Sequence, residues 1–86
     1  MTTEAWEGAR RLQTAGQELG ARRDGAGASL AAASAARPWG SDEAGLAFER
    51  RYRPAEAHVL AAWEQLAQYV ESLGEAAGRR TSQEAP

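Results

Sequence analysis

Few residue types here could do covalent chemistry, so their spacing is the first thing to weigh. His58 is the single histidine. A histidine general base needs a hydroxyl or second titratable group within hydrogen-bond reach. Ser29, Ser34, Ser41, Ser72 and Ser82 are the conceivable partners, and nothing in the spacing sets any of them beside it. No catalytic site is expected. One histidine and no cysteine cannot build a zinc centre, so no metal is expected either. Gly25-Ala26-Gly27-Ala28-Ser29-Leu30 has leucine where a dinucleotide fingerprint needs glycine, and it follows no strand pattern. The absence of lysine removes the P-loop lysine and Schiff-base chemistry, which leaves no expected cofactor.

The arginine pairs Arg10-Arg11, Arg22-Arg23, Arg50-Arg51 and Arg79-Arg80 have the charge to contact phosphates. Each has an acid nearby, namely Glu7, Asp24, Glu49 and Glu75, at spacings that suit ion pairs on a helix surface. Ten arginines against twelve acidic residues give a net charge of −2. A solvated polar face is therefore the reading, with no nucleic-acid partner. No apolar run approaches the roughly 18 residues of a membrane span, so stable insertion is not expected. The N-terminus has no cationic stretch leading into an apolar one, and a cleavable signal peptide is not expected.

With chemistry set aside, the elements carry the information. A first helix is expected from about 3 to 36, capped by Thr2 or Thr3, with Glu4 and Glu7 favoured in its first turns. Ala5, Ala9, Leu12, Gly16, Leu19, Ala26, Leu30 and Ala33 recur at helical steps. That stripe is narrow and small enough for another helix to approach closely. Asp24-Gly25-Ala26-Gly27 is its expected weak point, where the helix breaks or frays. A turn follows at 37–41: Pro38 ends the helix, Gly40 supplies a permissive backbone, and Ser41 is the expected cap of the next helix.

The second helix, expected from about 42 to 78, has the better pattern. Phe48, Tyr52, Ala55, Val59, Trp63, Leu66, Val70, Leu73 and Ala77 follow three- and four-residue steps, and from Val59 onward these form a coiled-coil seam. Pro54 predicts a kink or short break, and residues 79–86 read as a flexible polar tail. The fold class is thus all-α, an antiparallel two-helix hairpin. Its hydrophobic fraction of 43% is mostly alanine, and the large apolar residues are few. Such a chain does not hide enough apolar surface alone, so burial against a second chain is the expected remedy, giving a four-helix bundle. Leu12, Leu19, Leu30, Val59, Trp63, Leu66, Val70 and Leu73 are the expected dimer seam.

Trp63 lies on the seam, and Trp6 is placed to pack against the far end of the second helix. Trp39 differs because it sits in the turn, where it either plugs the hairpin end or belongs to a recognition surface. Trp39-Gly40-x-Asp42-x-x-Gly45-x-x-Phe48-x-x-x-Tyr52-x-Pro54 resembles the turn and second-helix start of the WXG proteins, the ESAT-six-like substrates of type VII secretion. The resemblance covers nearly the whole chain. It implies hairpins that pair as homo- or heterodimers and leave the cell folded, without a cleaved signal peptide, through a membrane-embedded secretion ATPase. It makes Trp39, Gly40, Asp42, Gly45, Phe48 and Tyr52 the turn motif. Two details depart from the pattern. Glycine follows tryptophan directly, and the Tyr-x-x-x-Asp/Glu export signal after the second helix is missing, since Tyr69 has Leu73 four residues on. Tyr52 and Glu56 have that spacing but sit mid-chain. The implied arrangement places the export signal on a partner chain. The rival expectation is a cytosolic helical adaptor that sequesters the helical leader of a toxin or effector.

Overall fold

The computed structural model describes residues 3–84, with side chains through Thr81. Helix α1 (Thr3–Ala35) and helix α2 (Glu43–Glu84) pack against each other as a hairpin, and no strand occurs among the described residues. At about 1.5 Å of rise per residue, helices of 33 and 42 residues make a rod, 68 × 16 × 11 Å in extent.

Pairs across the hairpin run in opposite directions along the two helices. A β-carbon built on Gly78 would meet Trp6 and Ala9, and one on Gly74 would strike the backbone of Ala9 and Gln13. Gly16 faces Glu71, Gly20 faces Ala67, and Gly27 faces Leu60. The approach is close because the residues are small. A β-carbon at Gly16 would lie 2.7 Å from the Glu71 Cα, and one at Gly74 would lie 2.8 Å from the Ala9 carbonyl oxygen. The buried residues match this geometry: Ala9, Gly16, Ser34, Gly45, Ala67, Gly74 and Thr81, with no large side chain fully buried among the described residues. Cohesion between the helices therefore comes from backbone brought within van der Waals range, many weak contacts at once, rather than from large side chains.

Two polar staples fix the register of this smooth seam. The Trp63 indole N–H donates to the Leu19 carbonyl at 3.1 Å, and Arg23 Nε donates to the Leu60 carbonyl at 3.1 Å. Arg23 also faces Asp24 at 3.2 Å and Glu64 at 3.7 Å. Each helix thus gives one side-chain donor to the other's backbone.

Three expectations need correction. The glycine run at 24–27 neither breaks nor frays α1, because Gly27 packs on Leu60 and the neighbouring Arg23 is tied to α2. Of the kink or short break expected at Pro54, the break does not occur, since α2 continues through that residue in sequence. The proline leaves the Arg50 carbonyl without its helical donor, but Arg50 is exposed, where water can serve it. The polar stretch from 79 is not a tail: α2 continues through it to Glu84, and Thr81 is buried. Residues 85–86 of that stretch, and the cap expected at Thr2, lie outside the described residues. No described helix is long and apolar enough to cross a membrane.

Candidate recognition site

Past the end of α1, the Arg37 N–H returns to the Ser34 carbonyl at 3.1 Å, and Gly40 N–H to the Arg37 carbonyl at 2.9 Å. Two of the described residues take positive φ: Arg37 at 48° and Gly40 at 85°. Glycine reaches that region without a steric penalty, and arginine does not. Arg37 is secured by its guanidinium, whose Nε lies 3.2 Å from Glu49 Oε1 on α2.

The cap of α2 is Asp42 and not Ser41, which corrects the sequence expectation. Asp42 Oδ1 accepts from the Gly45 N–H at 2.8 Å, while its carbonyl accepts the Leu46 N–H at 2.9 Å. The side chain meets a donor that the first helical turn leaves orphaned. Carboxylate suits this place better than hydroxyl, since it also faces the positive end of the helix dipole. Gly45 is required by contact. A β-carbon there would lie 2.6 Å from the Trp39 carbonyl oxygen and strike the Gly40 carbonyl.

Trp39, held by this turn, lies against the first turns of α2. Its ring centroid is 5.3 Å from Phe48 and 5.1 Å from Tyr52, and those two rings stack 5.8 Å apart at 14°. These spacings fall in the favoured range for aromatic pairs. The Arg53 guanidinium sits 5.7 Å from the indole centroid, a cation–π contact. The indole N–H donates to Glu49 Oε1 at 3.2 Å. Trp39 and Tyr52 are half-buried, while Phe48 is 51% exposed.

Glu49 is the hub. Its Oε1 accepts from Trp39, meets Arg37, and accepts from Arg53 Nη2 at 3.3 Å, with the side chain only 15% exposed. Burial alone would raise its pKa. The hydrogen bonds from Arg53 and Trp39 and the charges of Arg37 and Arg53 outweigh that and hold it below the ordinary carboxylate value. In the sequence Glu49 reads only as a surface balance for Arg50-Arg51. The four-residue step from Glu49 to Arg53 is a pairing signal visible there. The contributions of Trp39 and Arg37 need the turn.

All six motif residues therefore meet at the closed end of the hairpin, each with a distinct structural task. The expected dimer seam is distributed differently. Leu19, Trp63 and Val70 are half-buried, whereas Leu12, Leu30, Val59, Leu66 and Leu73 are exposed, and Tyr69 beside them is 62% exposed. These side chains are too large to enter the glycine seam and stand alongside it. At the open end, Trp6 covers Gly78 as expected and walls a cleft of about 490 Å³ with Arg10, Gln13, Glu75 and Arg79. His58 is exposed and its side chain makes no hydrogen bond among the described residues, and no cluster of potential metal ligands occurs among them. Compared with family models, with curated proteins and with solved structures, the chain matches none.

Proposed function

We propose that this hairpin is a secreted protein of the WXG kind, a substrate of a type VII secretion system or the dimer partner of one, acting by protein–protein contact. One observation supports this above the rest. The motif residues Trp39, Gly40, Asp42, Gly45, Phe48 and Tyr52 form a single ordered aromatic platform at the closed end, with Phe48 turned to solvent. A rigid, half-exposed aromatic cluster flanked by Arg37 and Arg53 suits docking to another protein, because aromatics and arginine dominate the strong points of interfaces. In this reading the hairpin pairs with a similar hairpin in the cytoplasm. The pair docks on a membrane-embedded secretion ATPase and leaves without a cleaved signal peptide, the Tyr-x-x-x-Asp/Glu signal being carried by the other chain.

A second reading is favoured by the exposed apolar face along α2, which has the length to hold a partner helix. There the hairpin is a cytosolic adaptor that shields the helical leader of a toxin or effector and is not exported.

Export of the co-expressed pair, measured for the parent and for Trp39→Ala beside their thermal melting, tests the first reading. Half-burial puts the stability loss at roughly 1.5–2.5 kcal/mol, about half that of a fully buried indole. Loss of export by a variant still folded at the growth temperature supports recognition through Trp39. Normal export by a variant that melts much earlier leaves Trp39 a packing residue, and retention of the parent in the cytoplasm favours the adaptor.

A further inference from the structure

At the open end the two helices leave a cleft whose floor is built of Ala9, Gly74 and Gly78. A β-carbon on Gly74 would strike the Gln13 backbone, and one on Gly78 would lie 3.9 Å from both Ala9 Cβ and Trp6 Cζ3. The helices are therefore already in contact beneath the cleft, and the floor residues have no side chain long enough to fill it. The space, about 490 Å³, falls within the range of small-molecule sites. It persists because packed backbone beneath it cannot close further.

The walls are long side chains from both helices. Helix α1 supplies Trp6, Arg10 and Gln13, at the four- and three-residue steps of one helical row, and α2 supplies Glu75 and Arg79, one turn apart. None of these five side chains makes a hydrogen bond or ion pair among the described residues. The other two indoles differ, since Trp39 and Trp63 both place their N–H on an acceptor within the chain. Trp6 is 41% exposed, so its ring is open to a ligand as well as to the floor.

The chemistry of the walls narrows what fits. Two guanidinium groups and one carboxylate line the cleft, which leaves one surplus positive charge. A guanidinium takes a carboxylate through two parallel N–H donors, and the Gln13 amide adds a neutral donor. An indole wall beside a floor of small residues accepts a flat ring at the offset or edge-on spacings that aromatic pairs favour. A single surplus charge matches a monoanion. A phosphate monoester, nearly dianionic at neutral pH, would press its second charge on Glu75.

We propose that the open-end cleft binds a small aromatic carboxylate, its ring against Trp6 and its carboxylate served by Arg10 and Arg79. Glu75 limits the affinity, because it meets the same group with like charge. The closed-end aromatic cluster takes no part, and the proposal does not depend on whether the chain is exported or paired. Exposed arginines act through screened charge, so the Kd is on the order of 0.1–1 mM and rises with salt.

Titration of the full chain with 2-naphthoate at low salt tests this, read by the indole N–H resonances in proton–nitrogen correlation spectra. Trp6→Phe identifies the Trp6 resonance by its loss. That resonance is expected to shift saturably while those of Trp39 and Trp63 stay in place. Arg10→Gln and Arg79→Gln should each weaken binding about two- to fivefold, and Glu75→Gln should tighten it about twofold. All three positions are exposed, and circular dichroism of the same samples checks that the variants are folded. 2-Naphthamide, the same ring without the charge, should bind about threefold more weakly or worse. Cyclohexanecarboxylate, the charge without the aromatic ring, should do likewise. The proposal is overturned if the Trp6 resonance shows no saturable shift up to about 10 mM ligand. An amide that binds as tightly as the carboxylate also overturns it, as do arginine variants with the parent's affinity. A shift of Trp39 in place of Trp6 moves binding to the closed end and removes the cleft from the account.

Discussion

At the closed end, single side chains each do one identifiable thing. Asp42 occupies an orphaned N–H, so Asp42→Ala should lower stability by about 1 kcal/mol and Asp42→Ser by much less, as read by thermal melting. Glu49 gathers three donors, and its pKa lies below the ordinary carboxylate value. A carboxylate depressed in the folded state contributes stability that is complete above its unfolded pKa and is lost as pH falls through the folded one. The parent should therefore lose melting temperature as pH drops below the ordinary carboxylate range, and Glu49→Gln should lack that component. An identical acid profile for the two proteins would remove Glu49 from the account. The motif itself is legible in the sequence as residue types at fixed steps, but its tasks are not. Ser41 and Asp42 both look like caps in sequence, and only the turn places the Asp42 oxygen on the Gly45 N–H.

At the scale of the helices, glycine has two opposite effects. In isolation each helical glycine costs about 1 kcal/mol relative to alanine. A β-carbon added at Gly8 or Gly25 would meet nothing within 4 Å, so Gly8→Ala and Gly25→Ala should raise the melting temperature by that measure. Gly16→Ala and Gly74→Ala make the same gain in propensity but drive a methyl into opposing backbone, an overpacking that costs about 1–3 kcal/mol or more. Both should lower the melting temperature; a rise at Gly16 would mean that the helices can separate freely. Helix existence and the antiparallel arrangement are legible from periodicity and from Pro38-Trp39-Gly40. Helix continuity is not. Gly25 and Gly27 read as loosening because sequence shows what a glycine takes from its own helix, and the opposing helix decides what it gives to the pair.

The whole molecule is a thin rod with most of its large apolar residues on the outside, including Val59, Leu66 and Leu73 along α2. This uncovered face is the surface that the proposed pairing would cover. If another hairpin covers it, stability depends on concentration. A hundredfold dilution then removes about 2.7 kcal/mol of mass-action stabilisation and lowers the melting temperature by several degrees. A melting temperature constant across that dilution, in a chain that sediments as a monomer, would mean that the glycine seam alone suffices. The shortage of large apolar residues in the core is legible from composition. The exposure of the seam leucines follows from the close helix approach, which leaves no room for them between the helices.

The glycine seam also shapes how the hairpin responds to temperature. At Gly16 and Gly74 it sets backbone against backbone, so unfolding one hairpin hydrates a larger polar share than unfolding a leucine-packed core. Polar and apolar hydration change the heat capacity in opposite directions, so a larger polar share pulls the increment below the usual 12–15 cal/mol/K or so per residue. A small increment flattens the curve of stability against temperature: the solitary hairpin loses little on cooling and declines gradually on warming. Covering the leucine face adds hydrocarbon to the surface hidden and restores the curvature. The single hairpin and the assembled one therefore differ in the shape of their stability curves as well as in their height.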